Sequence, residues 1–201
     1  MAVETTPHEA PEHPTNFSVD NNKMGMWAFI GSEVLFFGAF ISTYLIYVNR
    51  TAEGPGPSDI FDIPFTSVST FILLMSSLGM VLALAAIQRG DMREFRIWTL
   101  ATAAMGAVFL SGQVYEFTVF VAEGMNISTS PFSSSFYVLT GFHGFHVLIG
   151  VTMLLGLWVA SFSGRITPRQ SGAVENIGLY WHFVDIVWIV IFTVIYLIPA
   201  E

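Results

Sequence analysis

Five apolar stretches, each as long as a membrane-crossing helix, alternate with short polar connections. That alternation confines the chain to very few folds. The stretches cover residues 24–48, 66–87, 97–115, 136–162 and 176–198. A hydrocarbon core about 30 Å thick is crossed by about 20 helical residues, because a helix rises about 1.5 Å per residue. Strands of a membrane barrel would be alternating segments of about ten residues, and none of the five has that pattern. Charged residues make up 11% of the chain, against about 25% in soluble domains, and the mean hydropathy is +0.64. The expected fold class is therefore all-α integral membrane, a bundle of five transmembrane helices forming one domain over residues 23–201. Residues 1–22 are polar and rich in proline, and are expected to be a mobile tail. Its His8 and His13 are either two solvated histidines or a short metal-binding arm. The first apolar run follows an acidic leader and is far longer than the core of a signal peptide, so a membrane span is expected there.

Arginine and lysine set the expected orientation. Lys23, Arg89, Arg93, Arg96, Arg165 and Arg169 fall on one side of the five spans, and only Arg50 on the other. Basic residues favour the cytoplasmic side, which puts the N-terminus inside and the C-terminus outside. Cysteine is absent, which excludes disulfides, thiolate metal sites and cysteine nucleophiles. A net charge of −8 argues against a nucleic-acid partner. Phosphate loops, nucleophile elbows and zincin motifs are missing.

Polar groups inside the apolar runs are the candidates for function, since an ionisable group in hydrocarbon costs a few kcal/mol unless it is paired or neutral. Glu33 lies ten residues beyond Lys23, about 15 Å deep. His143 and His146 share one helix face in GFHGFH, and His182 and Asp185 share another in WHFVD. Two readings stand for each pair. The groups form neutral hydrogen-bonded links between helices, or they hold a metal or relay protons. Depth favours His146 over His143 as the partner of Glu33. The fourth run enters from the outside near Ser134, so His143 is about 13 Å and His146 about 18 Å below the outer surface. Glu116, near the outer end of the third run, reads as a solvated boundary acid. Gly38, Ala39, Gly144 and Gly150 are small enough to let another helix approach closely, and a docking face for a larger membrane subunit is expected there.

Three runs, SEVLFF (32–37), GFHGFHVLIG (141–150) and WHFVDIVWIVIF (181–192), resemble in order and spacing the signature runs of subunit III of haem–copper oxidases. TAEGPGPSDIFDIPF in the first loop extends the resemblance over nearly the whole chain. The five-helix length is similar to the short bacterial form, which lacks the first two of the seven helices in the long form. The resemblance implies an accessory subunit of a proton-pumping terminal oxidase in the bacterial plasma membrane. Catalysis, haem and copper would reside in partner subunits I and II, with no catalytic residue, cofactor or metal in this chain. The family's members pack beside the catalytic subunit near its proton entry and preserve it during turnover. Membrane lipids, bound phospholipid and a larger respiratory supercomplex are further associations consistent with the family. Glu33 matches the family's buried acid, His143 and His146 its helix-embedded histidines, and His182 and Asp185 its last-helix pair. Two departures stand out. The missing helices would wall the long form's lipid cleft, and the basic residue near the inner end of its penultimate helix is replaced here by LWVASFSGR, with Arg165 arriving late. The glutamate of SEVLFF favours cytochrome c as electron donor, with a quinol oxidase as the alternative. An independent membrane metal or haem protein using Glu33, His143, His146 and His182 is a second alternative, and a small carboxylate-relay transporter a third.

Overall fold

A computed structural model describes residues 21–52, 54–56 and 60–198. Most of the expected tail, including His8 and His13, lies outside the described residues, as does part of the first loop. Five long helices follow one another: α1 (Asn21–Tyr47), α2 (Ile63–Gln88), α3 (Met92–Ala122), α4 (Pro131–Phe162) and α5 (Ser171–Phe192). A short 3-10 turn (Pro168–Gln170) leads into α5, and α5 runs on as a π-helical turn over Thr193–Leu197. All five are long and apolar enough to cross a membrane. Among the described residues there is no strand.

All five helices begin before the expected apolar limits, and α2 and α3 also end beyond them; local chemistry explains why. Asp62 caps α2 by accepting from the Phe65 N–H at 3.1 Å, with Pro64 in the first turn where its missing N–H costs nothing. Asp91 caps α3, its Oδ1 accepting from the N–H groups of Arg93 and Glu94 at 3.0 Å each. Ser130 and Ser133 form a reciprocal capping box at the head of α4. Each cap satisfies backbone donors that would otherwise be orphaned. The caps themselves are polar or short of the apolar runs, so apolar length alone does not mark these starts. At the other ends, Gly90 and Gly124 adopt φ of +83° and +93°. The Asp91 N–H then reaches back to Ala86 O at 2.9 Å, and the Met125 N–H to Phe120 O at 2.8 Å. This closing turn needs a left-handed residue, which glycine supplies without strain.

Asp91→Ala removes both cap hydrogen bonds at once. It is expected to lower stability by about 1 kcal/mol, read as a drop in the thermal midpoint of the detergent-solubilised chain. A midpoint equal to that of the unaltered protein would show the cap to be replaced by water.

Packing places α5 against α1, α2 and α4, and α4 against α1, α3 and α5. Helices α2 and α3 form a long antiparallel hairpin whose edges meet α5 and α4. The buried residues of α1 are Ile30, Phe37 and Tyr44, seven apart, so α1 touches the bundle along one seam and turns most of its circumference outward. At the centre sits Trp181, fully buried. An ideal Cβ on Gly106 of α3 would stand 2.6 Å from its Cη2, and one on Gly150 of α4 would stand 2.6 Å from its Cε3. Its indole N–H donates to Ser76 Oγ of α2 at 2.9 Å. One side chain of α5 thus keys three other helices together. In lipid, where apolar surface gains little by leaving the solvent, such close packing is the main source of helix association.

Candidate functional site

Three groups of polar side chains inside the bundle bear on function, and each links neighbouring helices. The first joins α1 to α4. Glu33 Oε2 lies 3.3 Å from His146 Nε2, with the two side chains 17% and 11% exposed. The approach is within ion-pair range but off the direction of a well-formed hydrogen bond, and Oε2 has no other partner. His146 Nδ1 is 2.8 Å from the carbonyl of Phe142, and Tyr180 of α5 donates to the carbonyl of His146 at 3.0 Å. Phe36 and Phe37 of α1 stand against the His146 ring. His146, the histidine closer in depth, is therefore the one that meets Glu33.

His143 occupies a different environment. It is fully buried and stacks on Trp188 with ring centroids 4.8 Å apart and planes 24° apart. Phe109 and Phe37 meet it edge-on. Among the described residues neither ring nitrogen has a hydrogen-bond partner. A neutral imidazole always carries one N–H, so this group bears a desolvation cost of about 1–3 kcal/mol that stacking partly offsets. The Trp188 indole N–H in turn donates to Thr70 Oγ1 of α2 at 2.9 Å.

The second group joins α5 to α2. His182 and Asp185 do not bond to one another but meet through Ser77. Its hydroxyl lies 2.9 Å from His182 Nδ1 and donates to Asp185 Oδ2. The other Asp185 oxygen is buried without a partner. Glu33 and Asp185 accordingly take different partners on different helices, so the two carboxylates form separate links.

The third group lies toward the ends of α2 and α3 nearer the first loop. Glu116 accepts from Thr66 Oγ1 of α2 and is only 7% exposed. The expectation of a solvated boundary acid is thus corrected. α3 continues past it to Ala122, and the acid is enclosed against α2. Beneath, Gln113 donates from Nε2 to the Thr140 carbonyl of α4 at 2.7 Å.

The small residues divide between inside and outside. Gly144 faces the Gln113 side chain and Gly150 faces Trp181. Both therefore pack inside the bundle, and their expected place on an outward docking face is corrected: each space is filled by the chain's own side chains. A Cβ on Gly38 would meet nothing within 4 Å, and Ala39 beside it is exposed. Sequence reasoning did not single out Ser76, Ser77, Thr66, Gln113 or Gly106. A serine or threonine in an apolar helix usually bonds the carbonyl one turn back, as Ser42 and Thr43 do, so residue type alone does not mark those that reach across. At the membrane edge Lys23 pairs with Glu175 at 2.6 Å, tying the start of α1 to α5. Among the described residues, no group of three or more histidine or acidic side chains is placed to hold a metal ion.

Residues 8–199 match the family model described as cytochrome c oxidase subunit III. The chain is 39% identical over 176 residues to the protein named quinol oxidase subunit 3 from Bacillus subtilis (strain 168), covering 88% of this chain and 86% of that one. It is 36% identical over 197 residues to cytochrome c oxidase subunit 3 from Bacillus sp. (strain PS3), covering 98% and 95%. With cytochrome bo(3) ubiquinol oxidase subunit 3 from Pseudomonas aeruginosa it shares 37% identity over 180 residues, covering 90% and 86%.

Proposed function

The chain belongs to the cytochrome c oxidase subunit III family, and on that premise we propose that it serves aerobic respiration as the non-redox accessory subunit of a proton-pumping oxidase, packed against subunits I and II. It is a multi-pass membrane subunit of a haem–copper oxidase complex, which is an enzyme as a whole. In this reading haem and copper belong to the partner subunits. The complex sits in a bacterial plasma membrane, with the N-terminus inside as the distribution of basic residues suggests. The observation that carries the proposal is the family match across residues 8–199, with named oxidase subunits aligned along nearly their whole length.

The geometry supports a supporting rather than a reacting role. Every mid-depth polar group described above has a partner on another helix or an aromatic neighbour. Glu33 and His146 fasten α1 to α4, while Ser77, His182 and Asp185 fasten α5 to α2. Together with Trp181 they make a stiff body. A stiff body bound beside a catalytic subunit restrains local opening there, since anything that binds only the native form stabilises it. We infer cytochrome c as the electron donor of the whole complex. A second reading, quinol as donor, is favoured by the 39% identity to a protein named quinol oxidase subunit 3.

Affinity purification of the full chain in mild detergent is expected to retain a haem-bearing partner with an oxidase absorption spectrum. The same chain stripped of its partners is expected to be colourless and metal-free. Reducing the retained complex with cytochrome c or with a quinol separates the two donors. Stoichiometric haem or metal in the isolated chain would replace this reading with that of an independent redox protein.

A further inference from the structure

One polar group of the bundle opens outward. The Ser77 hydroxyl is hydrogen-bonded to Asp185 Oδ2 and lies 2.9 Å from His182 Nδ1, so that nitrogen is engaged inside the bundle. In either tautomer the other ring nitrogen, Nε2, is a polar atom that needs a hydrogen-bond partner of its own. His182 is half-buried. Among the described residues its Nε2 makes no hydrogen bond, and it is not one of the enclosed unpartnered atoms, so it reaches the outer surface of α5.

The surface around it is otherwise apolar. Ile186, one turn along α5, is 59% exposed, and Val81, one turn along α2 from Ser77, is 50% exposed. His182 lies eleven residues into α5, about 16 Å from its start, and Ser77 lies eleven residues from the end of α2, again about 16 Å. Both place the imidazole near the middle of a hydrocarbon core about 30 Å thick. Lipid headgroups and esters are at the edges of that core, and acyl chains offer no hydrogen-bonding group. An unpaired polar atom exposed to hydrocarbon is costly. Protein can supply the missing hydrogen-bond partner at this depth where lipid cannot.

We propose that the outward face of α5 beside α2 seats a transmembrane helix of another oxidase subunit, which presents a hydrogen-bonding side chain, a hydroxyl or an amide, to His182 Nε2. The inference rests on the reading that this chain assembles with oxidase subunits, and it deepens that reading by naming the surface. Asp185 and Ser77 act behind the histidine: they engage Nδ1 and so leave Nε2 facing outward.

The test places the photoreactive residue p-benzoylphenylalanine at Ile186 or at Val81, flanking His182 toward opposite sides of the membrane, in full chains assembled with the oxidase. Irradiation is expected to give adducts with a second polypeptide from both positions. His182→Leu is expected to lower the adduct yield from Ile186 about tenfold, and His182→Gln, which keeps a hydrogen-bonding side chain, is expected to restore most of it. Lipid adducts alone, with haem still co-purifying, would overturn the proposal, as would an unchanged yield in His182→Leu. Absence of any haem-bearing partner from the unaltered chain would instead overturn the oxidase reading, and this surface with it.

Discussion

Trp181→Ala is expected to lower the stability of the chain by about 3–5 kcal/mol, the range for truncating a large buried aromatic. The indole fills a space that no other side chain can enter. It is bounded by the Gly106 and Gly150 backbones, with Val151 Cγ2 only 2.8 Å from where a Cβ on Gly106 would sit. Removing it leaves a void enclosed by protein, which lipid tails cannot reach and water has little to bind in. The variant also leaves Ser76 Oγ without its indole donor, although that hydroxyl still donates to Leu73 O at 2.5 Å. Enlarging the glycines attacks the same contact from the other side. Gly106→Ala and Gly150→Ala are each expected to cost about 1–3 kcal/mol, because the ring is enclosed and cannot give way. The two kinds of change are coupled. With Trp181→Phe, which withdraws the outer atoms of the indole, Gly106→Ala should cost less than it does alone. Residues in contact show such non-additivity and distant ones do not. Equilibrium unfolding in mixed micelles measures the four single variants and the Trp181→Phe/Gly106→Ala double variant. A loss below about 1 kcal/mol for Trp181→Ala, or strict additivity of the glycine and tryptophan changes, would show that the key does not hold the helices.

This junction also marks where the sequence stops being legible. Five spans could be read from apolar length alone, because every backbone group inside a bilayer must be satisfied within its own helix or a closed barrel. Helix ends could not, since the capping turns at Asp62, Asp91 and Ser130 are polar. Nor could Glu116, whose charge looked like a boundary but is enclosed against Thr66. Depth was legible, because the rise per residue is fixed, and it singled out His146 over His143 for Glu33. Direction around the helix axis was not. In a soluble helix the polar face marks the outside. Here both sides of each helix are apolar, so Gly144 and Gly150, which face inward, could not be told from Gly38, which faces out. The serines that link helices were hidden for a related reason. Ser77, which reaches His182 and Asp185, is the same residue type in the same apolar setting as Ser42, which bonds only its own helix.

Coupling of about 1–3 kcal/mol between Glu33 and His146 is expected from a double-mutant cycle, within the range seen for residues in one buried network. The reasoning begins at the far side of the ring. His146 Nδ1 stands 2.8 Å from the Phe142 carbonyl, a distance at which it donates its proton there. Nε2 then offers a lone pair toward Glu33 Oε2, 3.3 Å away. Two lone pairs facing each other would repel, and a proton on the acid or on the imidazole removes that repulsion. The expected coupling is that of a pair sharing one proton, which avoids an isolated charge in the bundle. Glu33→Leu breaks the arrangement and leaves the imidazole without its partner. His146→Leu does the same to the carboxyl group. The double leucine variant removes both polar groups together, and an apolar pair of similar bulk is well tolerated where a half-pair is not. Its stability is therefore expected to lie well above the sum of the single losses. Glu33→Gln supplies the chemical control. Its amide can donate to Nε2, so it should keep most of the stability that Glu33→Leu forfeits. Thermal unfolding of the assembled complex and of the isolated chain reads the cycle. If the single losses add in the double variant, or Glu33→Gln is as damaging as Glu33→Leu, the proton is not shared and the contact between α1 and α4 is mere proximity.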